Sequence, residues 1–172
     1  MMVGQSIKKR LKVISIVIIM IFCACEREEC KIEISSTTHQ YIDYFKTLKK
    51  IKKRDFLVKV TIDSTLSNHI GYRISTYPNL MDDDDEIPSE IDVYKDMKIV
   101  YLFNELSRSD EIKMKKVLLE QGFYSTSHED IHSNYPEWVL LKNCETKCAK
   151  LIKDARYRNL KDLLVSSTVK ND

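Results

Sequence analysis

The spacing of apolar positions changes several times along the chain, and each change predicts an element. An apolar run, Val13 to Ala24, interrupted only by Ser15, follows a basic cluster of Lys8, Lys9, Arg10 and Lys12. It gives way at once to the charged stretch Glu26, Arg27, Glu28, Glu29. The next stretch predicts a short strand at 31–35. Ile42, Phe45, Leu48 and Ile51 then recur every three residues with Tyr41 and Tyr44 beside them. That period predicts an amphipathic helix over about 39–53, capped by Thr37 or Thr38. From Asp55 the period falls to two. Phe56, Val58, Val60 and Ile62 alternate with Leu57, Lys59 and Thr61, the pattern of a strand with one buried face. Ile70, Tyr72, Ile74 and Thr76 repeat it, so an antiparallel pair is expected.

Met97 to Phe103 is apolar on both faces, as a central strand would be. Ser107 to Gln121 reads as a helix with Ser107 or Ser109 as N-cap. Met114, Val117 and Leu118 form its stripe, and Gly122 is its left-handed stop. Phe123-Tyr124 suits a short strand, Trp138 to Lys142 a longer one, and 145–165 a terminal helical stretch. The expected fold is α+β: a mainly antiparallel sheet of about four strands with helices packed on one face. The piece from Met97 to Lys142 would be a crossover joining parallel strands.

The N-terminal run is too short for a membrane span, which needs about 20 apolar residues. A basic flank, a short apolar core and a small residue before the cut form the layout of an export signal. Its end, Phe22-Cys23-Ala24-Cys25, resembles the lipobox of a bacterial lipoprotein signal, which sets a small residue directly before the cysteine that is lipidated. The resemblance implies cleavage after Ala24 and acylation of Cys25, as by palmitate. The acidic residues that follow are similar to the signals that send some lipoproteins to the cell surface. It covers the first thirty or so residues and names no domain family. The expected organisation is a signal peptide at 1–24, a lipidated cysteine and linker at 25–37, and one α+β domain at 38–172. Acyl chains contribute about 0.8 kcal/mol per buried methylene, enough for several chains to hold a domain at a membrane.

Cleavage changes the charge. The signal holds four basic residues and no acids, so the formal +2 of the 172-residue chain becomes −2 for the remainder. Net charge therefore points away from nucleic acid. The chain has three glycines and lacks G-x-x-x-x-G-K, G-x-G-x-x-G and G-x-S-x-G, which removes phosphate cradles and nucleophile elbows. Export also sets the redox state. With Cys25 acylated, Cys30, Cys144 and Cys148 are the disulfide candidates of an oxidising compartment. A bond between Cys144 and Cys148 needs distortion of a regular helix. One from Cys30 to either would staple the leash to the domain.

Three stretches carry candidate chemistry. His128-Glu129-Asp130-Ile131-His132 matches H-E-x-x-H, in which His128 and His132 would ligate zinc and Glu129 would act as general base. The motif needs a helix, whereas Ser125-Thr126-Ser127 and Ser133-Asn134-Tyr135-Pro136 flank it as a polar loop. Asp82 to Glu86 carries five consecutive acids without the glycine of a calcium loop, so a solvated loop is expected. Lys49 to Arg54 is basic and suits a helix C-terminus. The expected function is a membrane-anchored lipoprotein of the cell envelope, at the outer membrane or cell surface. It would bind a protein partner there and need no cofactor. The alternatives are a zinc-dependent hydrolase, a structural envelope protein and an immunity-type inhibitor of a secreted toxin.

Overall fold

The structure, a computed structural model, describes residues 32–48, 55–66, 68–125, 135–156 and 162. These residues form two helices and six strands. In chain order they are α1 (Ile34–Thr47), β1 (Leu57–Leu66), β2 (His69–Tyr77), β3 (Glu90–Tyr94), β4 (Met97–Leu102), α2 (Arg108–Glu120), β5 (Trp138–Asn143) and β6 (Ala149–Ile152). The strands make one sheet in the order β3-β4-β1-β2-β5-β6. β1 and β4 pair in parallel, and every other pair is antiparallel. The α+β class stands. The expectation of about four strands does not, because the sheet has six and is mixed.

The helices lie on opposite faces of the sheet, which corrects the expected one-sided packing. Tyr41, Ile42 and Phe45 of α1 gather with Val58, Val60, Ile74, Ile99, Tyr101 and Trp138. Leu57 and Val100, at alternate positions of the same strands, gather instead with Leu118 of α2, Met81 and Phe123. Successive strand side chains point to opposite faces, so one cluster lies on each side. β1 is thereby buried on both faces. A third cluster, Val139, Leu141 and Ala155, closes the far end of the α2 face.

α1 begins at Ile34, inside the stretch read as strand and linker. Ile34, Tyr41, Ile42 and Phe45 share one stripe, with Thr37 and Thr38 between them. Those two threonines are buried rather than capping. Their hydroxyls donate to the carbonyls of Glu33 and Ile34, at 2.8 and 2.7 Å. Glu33 is the N-cap and makes no side-chain capping bond. A helix of this length is marginal alone, so the packed stripe holds it. Each fully buried large apolar side chain contributes about 1.5–3 kcal/mol. Thr38 also bonds the Tyr101 hydroxyl near the end of β4. Asp43, further along α1, meets Lys95 in the turn before β4 at 2.9 Å. α1 therefore runs antiparallel to β4.

α2 follows its expected pattern. Ser107 is the N-cap and accepts from the Asp110 amide at 3.3 Å, and Gly122 turns with φ +66. β4 and β5 point the same way, as a crossover requires, but β1 and β2 lie between them. The expected terminal helix is displaced at its start by β6. Asn143 there forms an Asx turn, its side-chain oxygen accepting from the amides of Glu145 and Thr146 at 2.9 Å each. β3 forms in a stretch for which the apolar pattern predicts no strand. It joins β4 through a two-residue turn, Lys95-Asp96, in which both residues have positive φ. The expected strand at Phe123-Tyr124 reduces to a single bridge from Tyr124 to Met81.

Tyr41 ties the α1 layer to the sheet. Its hydroxyl donates to the Pro136 carbonyl at 2.8 Å and lies 2.7 Å from the Thr76 hydroxyl, which must then be the donor to it. Burial holds the Tyr41 phenol well above the usual tyrosine range, against the opposing effect of the Thr76 bond. Burial likewise raises Tyr101. Above pH about 10 an unfolded tyrosine releases its proton while these two keep theirs, so the native state binds more protons and stability falls. Stability from these groups is complete below that pH. The expected result for Tyr41→Phe is a loss of roughly 1–3 kcal/mol at pH 7, from the two lost bonds and the groups left unpaired. Its stability should also decline less steeply above pH 10. Urea unfolding across pH 7–11 measures both.

Candidate functional site

The face that carries α2 is apolar at its two ends and polar between them. β1 turns Leu57 toward α2, then Lys59 and Thr61 onto open sheet. β2 contributes Tyr77, Ser75 and Arg73 opposite them. Lys59 reaches Asp85 at 2.9 Å and lies 4.8 Å above the Tyr77 ring. Arg73 takes two carboxylates. Nη2 and Nε donate to Asp63 at 2.8 and 3.3 Å, and Nη1 donates to Glu137 at 2.8 Å. The register shift between Ile62 and Ser64 leaves Asp63 as the extra residue of β1, free of a strand partner. Its carboxylate meets Arg73 there. Burial pulls the Arg73 pKa down, but the bonds and charges of Asp63 and Glu137 outweigh it and the net shift is upward.

The acidic run meets this strip. Asp85 accepts Lys59 on one carboxylate oxygen and the Asp82 amide on the other, at 2.9 and 2.8 Å. Its own amide donates to the Asp82 carbonyl at 3.1 Å. The run is thus a folded turn pinned to the sheet through Asp85, while Asp83, Asp84 and Glu86 point to solvent. Behind it, the Met81 amide donates to Phe123 and the Ser125 amide to Met81, both at 2.9 Å. Tyr124 sits alongside. Its phenol pKa is raised by burial first and by the Asp83 and Asp85 carboxylates second.

Periodicity alone did not mark this strip, because Lys59, Arg73, Asp63 and Glu137 belong to three separate segments. The alternation of β1 placed Lys59 and Thr61 opposite the buried face, which was the available signal. Chemically, two cations and three carboxylates hold one another in fixed positions. Such a lattice holds oriented charges at fixed places on the sheet.

The sequence-derived candidates fall elsewhere. Cys25, Cys30, His128, Glu129, His132 and the basic run 49–54 lie outside the described residues. Cys144 is an exposed free thiol whose amide donates to the Asn68 carbonyl at 2.6 Å. Cys148 is disulfide-bonded. The two are therefore not paired with each other, and the partner of Cys148 lies outside the described residues. Among the described residues, no three His, Cys, Asp or Glu side chains are grouped to hold a metal. His39 stacks on Tyr94 at 3.9 Å and contacts Asp92 at 3.3 Å, fixing α1 to the edge strand β3. His69 contacts the Asn143 amide group at 3.3 Å, at the far end of the sheet.

Among the described residues, no helix is long and apolar enough to cross a membrane. Comparison of the chain with protein-family models, curated proteins and solved structures finds no match.

Arg73→Met should expose the role of the strip. The Arg73 side chain is 19% exposed, and its loss leaves Asp63 and Glu137 facing each other without a cation. A cost of roughly 1.5–3 kcal/mol is expected, the usual scale for hydrogen bonds to charged groups. Adding Glu137→Gln should return part of it, because one of the facing carboxylates is then neutral. Urea denaturation of both variants reads the difference.

Proposed function

We propose that this protein is a small lipoprotein of the bacterial cell envelope, held to the membrane through Cys25. In this reading its α+β domain binds a protein partner. The observation that carries the reading is the export layout of residues 8–25: a basic flank, a short apolar core and a small residue before Cys25. The disulfide at Cys148 is in keeping with it, because such bonds persist in oxidising compartments and are rare in reducing ones.

The strip of Lys59, Asp85, Arg73, Asp63 and Glu137 supports binding over catalysis. Its charges are mutually paired and held against strands. Fixed, partly desolvated charges suit recognition of a complementary surface, where they set register and exclude wrong partners. Asp83, Asp84 and Glu86 extend the strip with unshared negative charge, so a basic patch on the partner is the expected complement.

The reading is tested by the intact mass of the protein extracted from the membrane fraction of its native host, with and without reductant. The expected species begins at an acylated Cys25 and gains two hydrogens per bridge on reduction. Cys25→Ser should move the protein out of the membrane fraction, because tethering rests on the acyl chains. A full-length, unacylated species would overturn the lipoprotein assignment. Affinity isolation from solubilised membranes should recover a protein in stoichiometric amount, and Arg73→Met should weaken its recovery. Isolation that returns no such protein would overturn the binding role.

A further inference from the structure

α2 carries apolar residues on two sides. Leu118 is buried and Met114 is packed against the sheet. Ile112 and Leu119 point the other way and are 64% and 69% exposed. They are seven positions apart, so they share one line along the helix. By helical geometry, Arg108, Lys115 and Lys116 flank that line within about 60° on either side. The acids of the helix lie further round: Glu111 and Glu120 sit at the two margins, about 90° from the line, and Asp110 lies beyond them, exposed and paired with Lys113 at 3.0 Å. Glu120 pairs loosely with Lys116 at 3.8 Å. Val93, on the same sheet face at the neighbouring edge, is a further exposed apolar side chain at 53%. The outward face of α2 is therefore aliphatic at its centre and cationic at its borders.

We propose that this face of α2 lies on the surface of the membrane that anchors the protein, with Ile112 and Leu119 entering the headgroup boundary and Arg108, Lys115 and Lys116 meeting anionic phospholipid headgroups. The proposal rests on the lipoprotein reading, which supplies the bilayer. Charge complementarity selects the occupant. The remainder of the chain after signal removal is net negative, yet this face gathers cations around exposed aliphatics, the reverse of what solubility alone requires. Two aliphatic residues and three cations form a weak site for a free protein. On a tethered one the bilayer is always within reach, and a weak contact becomes occupied.

The layout of the fold permits it. α1 begins near Tyr101, at the end of β4, and α2 begins just after that same end. The described chain therefore enters the domain at the end of the sheet from which α2 departs, and a bilayer at that end can meet the outside of α2.

Hydrogen exchange of the natively acylated full chain tests this, with the protein placed on vesicles of phosphatidylcholine alone or with phosphatidylglycerol. The expected result is several-fold slower exchange in α2 on the anionic vesicles, with α1 unchanged as the internal reference. Ile112→Ser with Leu119→Ser should abolish the slowing, and Lys115→Gln with Lys116→Gln should remove its dependence on phosphatidylglycerol. Equal α2 exchange on both vesicles, for protein that co-sediments with them and carries acyl chains by mass, overturns the proposal and leaves the anchor standing. Protection of α2 in native membranes but not on pure lipid also overturns it, in favour of an acidic protein. If the chain proves unacylated, the lipoprotein reading falls separately. Excess phosphatidylglycerol vesicles added to that chain then decide the α2 face, and no slowing overturns it.

Discussion

β1 is the strand on which the rest of the molecule depends. It pairs on one side with β2, antiparallel, and on the other with β4, parallel. Leu57 faces the layer of α2, and Val58 and Val60 face that of α1. A one-residue slip would exchange those faces, placing Lys59 beneath α1 and stripping both helices of their contacts. The register is held at both borders, by the hairpin to β2 and by the alignment of Val58 with Ile99 and of Val60 with Tyr101. The single bulge, beyond Ile62, comes where the buried part of the strand has ended. There an irregularity frees Asp63 for Arg73 at little cost to the core.

Much of this was legible in residue order, and the misses have physical causes. The alternation of 56–62 and 70–76 found β2 within a residue and the start of β1 within two, because one buried face imposes a clean period; β1 runs on past the alternation to Leu66, where no buried face marks it. The apolar stretch 97–103 found β4 for the same reason. β3 escaped because Glu90 and Asp92 load one of its faces with charge, as suits an edge, and because Lys95-Asp96 carries none of the glycine that marks such turns. β6 escaped because Ala149 to Ile152 follows a polar stretch that reads equally well as helix. An Asx turn at Asn143 was the available sign. The opposed placement of the helices was not in the pattern. Each helix has a buried stripe, but only pairing decides which face of the sheet it meets.

The candidate strip shows the same limit. Its members come from β1, β2, the turn after β2 and the residue before β5, so no short motif could announce them. The acidic run looked like a solvated loop, and Asp83, Asp84 and Glu86 do face solvent. Asp85 does not, because Lys59 waits on the sheet beneath it. H-E-x-x-H, the most motif-like segment of the chain, lies outside the described residues.

The strand order has a consequence for how the molecule comes into being. β2 lies between β1, its neighbour in sequence, and β5, whose Asn143 meets His69 across 74 positions of chain. β4 likewise reaches back past β2 to join β1. The first four strands make a contiguous piece, β3-β4-β1-β2, and β5 adds Trp138 to the α1 cluster only afterwards. Non-local pairing of this kind folds slowly, because loop closure precedes the contacts that compensate it. The outer edge of β2 therefore stays unpaired until β5 is present, and the order of synthesis leaves that edge as the last to be covered.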